Sequence, residues 1–339
     1  MKLLFVTQAL DLDDPTLSVY HGWVEGLAKR TDQLTVICLK EGRHTLPANV
    51  RVHSLGKEKG RAPSFVYALR FLILTLSLRY EYDRVLIHMN QEYLLVAGWV
   101  WKLLHKPAYL WRNHYAGSLL TDLAVLFCKN VFCTSKDSYT AKYKKTVLMP
   151  VGVDLERFSS PIFEGRMRES ILFLARMAPS KHPEILIDAL EILKKKGTSF
   201  TATFIGSPLP AYESFYATLQ QRVQRQFPDR SVMFMAGVPN TEVPVMFHRH
   251  SIFVNCSPSG MFDKTLFEAA ASGCLVLARS KDFKERAGDQ YYFSDAADLA
   301  FRLSRLLAAD DQDAQRTHMQ AVAKAEGLEI LMDRLVKTI

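Results

Sequence analysis

The chain has 339 residues, 48% hydrophobic and 23% charged, which is ordinary for a globular protein but too long for one core, so two domains are expected. Its net charge of +8 lies wholly in residues 1–150, where 20 Lys+Arg face 12 Asp+Glu; the remainder balances at 23 against 23. Five cysteines, an odd count without metal-ligand spacing, argue against a disulfide scaffold and read as small buried hydrophobes in a reducing cytosol.

Met1-Lys2 runs directly into Leu3–Thr7, so residues 2–7 read as a buried parallel strand with no leader before it. Gln8–Thr16 follows as an acidic loop. Its Asp11-Leu12-Asp13 has the spacing of a metal-binding DxD, but a plain acidic loop is the commoner use, and Asp14-Pro15 reads as the entry to a helix over Leu17–Arg30. Further strands are predicted at Leu34–Leu39, Val50–Leu55, Arg84–His88, Ala108–Arg112, Val131–Thr134 and Thr146–Met149. Helical patterns lie between them at Ser64–Arg79, Glu92–His105, Leu119–Cys128 and Asp137–Lys144. Strands alternating with helices imply a parallel α/β sheet with right-handed crossovers.

Two of these helices are unusually apolar. Residues 64–82 combine Phe65, Tyr67, Leu69, Phe71, Leu72, Leu76 and Leu78 with Arg70 and Arg79, and Arg61 precedes them. Glu92–His105 carries Trp99 and Trp101 beside Lys102, with Lys106 following. Arg70 interrupts the run Phe65–Leu78, which falls short of the roughly 20 residues that span a bilayer. Core packing is the common use of such side chains; a membrane interface is the alternative.

Pro150-Val151-Gly152-Val153-Asp154 breaks the pattern, Arg157–Gly165 has no strong period, and the interdomain connection is placed there. A second series follows: strand Ile171–Ala175, helix Pro183–Lys196, strand Phe200–Ile205, helix Glu213–Phe227, strand Val232–Ala236, helix Glu242–His248 and strand Ile252–Asn255. After a strand at Leu275–Ala278 come a weak strand at Tyr291–Phe293 and helices at Ala296–Ala309 and Gln312–Ile339. The expected architecture is α/β, with two doubly wound Rossmann-like domains facing each other across a cleft. Residues 1–150 form the first, 151–311 the second, and 312–339 a C-terminal helix placed to pack back on the first.

The stretch Phe253–Arg279 concentrates the chemistry. A buried strand stops at Ser257-Pro258-Ser259-Gly260, a helix begins around Lys264–Thr265 and carries Glu268, and Gly273 ends it. Strand, small-residue loop and helix start form a ligand site at the carboxyl edge of a parallel sheet, with exposed amides that suit phosphate. Arg176 ends the strand at 171–175 and Lys181 lies five residues on, at the same edge. Two cations and a helix start around one crevice suit a diphosphate.

The order Val151-Gly152-Val153-Asp154 with Arg157-Phe158, then Arg176 and Lys181, then Ser257-Pro258-Ser259 running into Leu266-Phe267-Glu268-Ala269, resembles the retaining glycosyltransferases of the GT-B fold, family-four type. The resemblance spans the chain and is strongest over 150–279. It implies a nucleotide-diphosphate sugar held chiefly by the second domain and an acceptor held by the first. Arg176 and Lys181 fall on the family's diphosphate-binding cations, Glu268 on the glutamate that binds the ribose hydroxyls, and Thr265 and Leu266 on its phosphate-capping amides. The loops at 206–208 and 237–239, with Gly206, Ser207 and Val238, fall where the nucleobase sits, and His114 falls on the histidine that faces the sugar. Gly260 stands where the family has the first Glu of its pair, with Asp263-Lys264 the nearby charges. Ala175 replaces the glycine before the Arg, and Gln8–Pro15 replaces a Gly-Gly loop, where Asp13, Leu17 and Ser18 are placed to line the cleft.

The implied activity is metal-independent transfer of a hexose-type sugar from a UDP- or GDP-sugar to a hydroxyl of a glycan or lipid-linked acceptor, with retention and no cofactor besides the donor. The alternatives are a catalytically silent sugar-nucleotide-binding protein and a nucleotide-sugar epimerase. The epimerase lacks an evident acid/base cluster, and a dehydrogenase is disfavoured because no G-x-G-x-x-G follows a strand. The basic first half suits an anionic membrane surface, giving a cytoplasmic chain at the inner face of the membrane. No nucleic-acid module is present, so nucleic acid is not expected as a partner.

Overall fold

A computed structural model describes residues 1–14, 17–159, 166–260, 263–309 and 312–339. The helix entry at Asp14-Pro15, the connection over 157–165 and the boundary at 311 therefore fall partly outside the described residues. The chain divides into two compact units, Met1–Gly152 with Leu328–Ile339, and Val153–Gly327.

The first unit is built on strands β1 (Lys2–Leu10), β2 (Gln33–Glu41), β3 (Val50–Ser54), β4 (Arg84–His88), β5 (Ala108–Trp111), β6 (Cys128–Cys133) and β7 (Thr146–Leu148). They form one parallel sheet ordered β3-β2-β1-β4-β5-β6-β7. The continuous apolar runs predicted for buried parallel strands are what line it; Leu3–Val6 is wholly buried. One face is covered by α1 (Val19–Ala28), whose Trp23, Val24 and Leu27 share a core with Leu331, Met332 and Leu335. The other face carries α2 (Ser64–Ser77), α3 (Glu92–Leu103) and α4 (Leu119–Val125). Phe71 of α2 meets Tyr93 at 4.6 Å and Trp101 edge-on at 6.1 Å, while the Trp101 indole donates to Tyr82 Oη at 3.1 Å. The apolar residues of these helices thus divide: Phe71 and Trp101 are core, whereas Phe65, Leu69 and Trp99 are exposed.

The second unit starts with the short helix α5 (Leu155–Phe158) and continues through β8 (Met167–Leu174), α6 (Pro183–Lys195), β9 (Thr201–Ile205), α7 (Glu213–Gln226), β10 (Val232–Met235), α8 (Val243–Arg249) and β11 (His250–Asn255). Then come α9 (Thr265–Ala271), β12 (Leu275–Ala278), α10 (Lys281–Ala287), α11 (Ala296–Leu307) and α12 (Asp313–Ala325). The sheet is parallel and ordered β10-β9-β8-β11-β12, so chain direction across it reverses between β8 and β11. Each unit is Rossmann-like, and in such sheets ligands sit at the carboxyl ends of the strands beside the reversal.

Several local expectations are corrected. Residues 137–144 hold only a single 3-10 turn, Tyr139–Lys142, because their side chains bond away from the local backbone: Ser138 Oγ to Asn113, Thr140 Oγ1 to Arg112 O, and Tyr139 and Tyr143 to Asp122. Cys128, expected in a helix, opens β6. The weak strand at 291–293 is a 3-10 turn, Asp289–Tyr291, plus an isolated bridge from Tyr292 to Ala278. The helix α10 was not foreseen; Ser280 caps it by accepting from the Phe283 amide. Residues 312–339 form two helices, α12 and α13 (Leu328–Thr338), parted at Gly327, which bridges to Val153. A Cβ at position 327 would stand 2.9 Å from Leu155 Cδ1. All five cysteines are buried, and none forms a disulfide among the described residues.

Helix α13 belongs to the core of the first unit. Gly26 of α1 leaves room for Met332, whose Cγ would lie 2.7 Å from a Cβ there, and Arg30 bonds Glu329 and Asp333 at 2.7 Å each. Leu331→Ala should therefore lower the stability of this unit by about 3 kcal/mol. A denaturant midpoint equal to that of the parent chain would show that α13 adds nothing to the core.

Candidate functional site

The carboxyl edge of the second sheet brings five loops into line. At its centre, Lys181, in the turn after β8, donates from Nζ to Asp263 at 2.9 Å and to Ser257 Oγ at 3.2 Å. Asp263 lies beyond β11, so this ion pair closes the gap between β8 and β11 where the sheet reverses. Asn255, the last residue of β11, donates through Nδ2 to Asp263 at 2.8 Å and accepts the Ser257 amide at 2.9 Å. The Thr265 hydroxyl also bonds Asp263, and its amide lies 3.3 Å from Asp263 Oδ1.

The Asp263 side chain is only 9% exposed. Burial alone would raise its carboxyl, but the Lys181 ammonium and the bonds from Thr265, Lys181 and Asn255 outweigh burial and hold it below the ordinary carboxylate range. Lys181 spends two of its three ammonium protons on Asp263 and Ser257, leaving one for a ligand among the described residues. Arg176 lies exposed on the loop after β8, with no ion pair among the described residues.

Glu268 sits one turn into α9. Burial pushes its carboxyl up to about 7; Lys264 and Arg157 oppose the shift, while Asp263 and Asp154 add to it. Lys264 shows the reverse: burial lowers its hold on the proton, against the pull of Glu268 and Asp154. The Leu266 side chain is buried, so only its backbone can meet a ligand, and its amide bonds Asp263 O at 3.3 Å. Gly260 is buried with φ +82, a conformation that strains any residue with a Cβ. The absence of the expected glutamate there thus has a backbone reason.

The loops after β9 and β10 are joined to this edge. Gly206 packs so closely under Ala175 that a Cβ would lie 1.9 Å from its carbonyl oxygen, and Met177 bridges Pro208. Ser207 Oγ accepts the Gly237 amide at 3.0 Å, placing Gly206, Ser207 and Val238 in adjoining loops. Arg176, Lys181 and Lys264 lie on the other loops of the same edge, with Thr265 and Glu268 in the first turn of α9.

His114 belongs to the first unit, on the loop after β5. Its Nδ1 lies 2.9 Å from the Ala116 amide nitrogen and 3.2 Å from the Ala116 carbonyl oxygen, and the ring stacks on Tyr115 at 4.6 Å. Beside it, Asn113 Oδ1 accepts from Thr134 and Ser138. In the first loop Asp13 pairs with Arg43 at 2.6 Å and Asp11 with Lys40 at 3.2 Å, so the DxD acids are engaged by cations, and Asp14 Oδ1 accepts the Leu17 amide. Among the described residues no group of three or more His, Cys, Asp or Glu is arranged to hold a metal.

Asn255 was missed from the sequence. Its signal was a polar residue ending the otherwise apolar run Ile252–Val254 just before a Ser-Pro-Ser loop.

Residues 168–309 match the family model described as glycosyl transferases group 1. The whole chain is similar in fold to HepE of Anabaena in complex with UDP, with TM-score 0.76, 17% identity, and coverage of 100% of this chain and 99% of that one. It is likewise similar to sucrose-phosphate synthase of Thermosynechococcus elongatus, at TM-score 0.74, 17% identity and coverage of 100% and 98%. An α,α-trehalose-phosphate synthase of Burkholderia xenovorans in complex with glucose-6-phosphate gives TM-score 0.73 at 11% identity, covering 99% of each chain. No curated protein matched by sequence search.

Two expectations follow from the site. Lys181→Ala strands a buried carboxylate and should cost about 3 kcal/mol, most of it regained when Asp263→Asn is added; equal stability of the single and double variants would refute the pairing. The second concerns pH. Because the Glu268 carboxyl is raised in the folded state, the stability it confers is full below its unfolded pKa near 4.5 and is lost as pH rises towards 7. Glu268→Gln should therefore gain in melting temperature over the parent across that window, and a constant difference at both ends would refute it.

Proposed function

We propose that this chain, a GT-B glycosyltransferase whose second unit belongs to the glycosyl transferases group 1 family, moves a hexose-type sugar from a UDP- or GDP-sugar to a hydroxyl of a glycan or lipid-linked acceptor. The reaction retains anomeric configuration and needs no metal ion. The observation that carries this reading is the Lys181 ammonium, pinned by Asp263 and Ser257 at the sheet reversal with one proton to spare, with Arg176 on the same loop and in no ion pair among the described residues. In this reading both cations meet the donor diphosphate, Glu268 accepts from the ribose hydroxyls, and the loops with Gly206, Ser207 and Val238 seat the base. Gly260 and Lys264 border the sugar end, with the Thr265 and Leu266 amides next to the phosphates. The UDP in the similar HepE structure favours uridine.

Negative charge grows on the diphosphate as the bond to the anomeric carbon breaks. Arg176 and Lys181 then stabilise the transition state more than the bound donor, which is the condition for acceleration. The acceptor hydroxyl attacks from the face the diphosphate leaves. The same reading puts the chain in the cytoplasm and brings its basic first 150 residues, with their 20 Lys+Arg against 12 Asp+Glu, to the inner face of an anionic membrane.

The glycine at 260, where the backbone cannot accept a glutamate without strain, favours a second reading as a silent sugar-nucleotide-binding protein. Nucleotide binding without donor hydrolysis or transfer to any acceptor would decide for that reading. Glu268→Ala should weaken binding of the nucleoside diphosphate by about 2 kcal/mol in calorimetry. Arg176→Ala with Lys181→Ala, in an Asp263→Asn background that keeps the fold, should abolish turnover; an active variant would remove the diphosphate role.

A further inference from the structure

Helices α2, α3 and α4 lie side by side on one face of the first sheet, and each presents an apolar stripe away from that sheet. On α2, Phe65, Leu69 and Ile73 recur at helical spacing on the outward face, Phe65 with 72% of its surface free. On α3 the outward pair is Trp99 and Leu103, the latter 70% exposed. On α4, Leu119, Leu123 and Leu126 form the third stripe, and Leu119 is 72% exposed. A single exposed leucine is normal, but three adjoining stripes make a surface that needs a partner.

The charges around the face state the partner's chemistry. Residues 57–80 hold five Lys+Arg against one acid, Glu58, and the 14 residues of α2 include no acid. Arg70 and Arg79 donate to the carbonyls of Leu55 and Leu76, and among the described residues neither is paired with a carboxylate. The Lys102 ammonium lies 5.4 Å from the Phe127 ring centre, at the end of α3 nearest Leu103. The acids on these helices are Glu92, in the first turn of α3, and Asp122 on α4, which is already held by Lys142, Tyr139 and Tyr143. Apolar side chains facing out, framed by cations and an aromatic at the border, are complementary to the interface of an anionic bilayer. Among the described residues no helix is long and apolar enough to cross a membrane, and α2 is too short for it, so contact of this face with a bilayer would be at the interface.

We infer that the outer face of α2, α3 and α4 is the surface by which the first unit docks on an anionic lipid membrane, inserting Phe65, Leu69, Ile73, Trp99 and Leu103 among the headgroups. This rests on the proposed membrane contact and names the surface that makes it. The test is co-sedimentation of the full chain with vesicles of phosphatidylcholine, with and without phosphatidylglycerol. The parent should bind the anionic vesicles in a salt-sensitive way, and Leu69→Glu with Ile73→Glu should lower partitioning by about tenfold or more. Arg61→Gln with Arg79→Gln should cost roughly fivefold for each cation removed. A readout independent of added charge is quenching of tryptophan emission by brominated lipid. It should be strong in the parent and largely lost in Trp99→Phe, because Trp23, Trp101 and Trp111 are buried. Parent binding that the α2 and Trp99 variants leave unchanged would overturn the face while keeping the membrane contact. A parent that ignores anionic vesicles would overturn both. A dimer that the glutamate variants convert to monomer, without vesicle binding, would show that a second copy covers the face.

Discussion

A carboxylate withdrawn from water is stable only where a cation and hydrogen-bond donors replace its hydration. Asp263 imposes that requirement on the second unit. Its two oxygens gather Lys181 from beyond β8, Asn255 from the tip of β11, and Ser257 and Thr265 from the loop and helix that follow. Loosening any of these would leave charge unmatched in a poorly hydrated place. The lysine is therefore held in one position by its own neighbours. The same crowding has an opposite effect one turn along α9, where Glu268 has no dedicated donor among the described residues and its carboxyl rises instead. Two acids five residues apart are thus driven in opposite directions by the presence or absence of a partner.

Most of the fold could be read from the sequence because buried parallel strands are unbroken apolar runs, as in Leu3–Val6 and Ile252–Val254, and the helices between them have their own period. Residues 137–144 escaped this reading because a helical pattern says nothing about hydroxyls and phenols that bond to distant groups. The close approach of Leu155 to Gly327, where a Cβ would crowd it, was equally hidden, since the two are far apart in the chain. At the site, the edge loops and the positions of Arg176 and Lys181 were legible from strand ends. The pairing of Lys181 with Asp263 was not, because 82 residues separate them and only the sheet order makes them neighbours. The missing glutamate at 260 was visible as a letter, but its reason, a positive φ, exists only in the folded backbone.

Helix α2 shows a related limit. It is apolar nearly all round, so composition could not separate the residues packed on the sheet from those left outside. Phe71 and Thr75 face inward against Tyr93, Trp101 and Tyr82, and the stripe from Phe65 through Ile73 faces out. The hydrophobic residues of α2 thus divide between a set buried on the sheet and a set left exposed.

The position of α13 bears on how the molecule comes to exist. This helix follows the whole second unit in sequence yet completes the core of the first, covering Trp23, Val24 and Leu27. During synthesis, which runs from the N-terminus, the first unit leaves the ribosome early but waits for its last wall until the second unit has been made. Throughout that interval a strip of tryptophan and aliphatic surface on α1 is uncovered, and the nascent chain is most vulnerable to sticking to its neighbours. Proteolytic cutting near Gly327 would return the finished molecule to the same state, with the second unit whole and the first unit open.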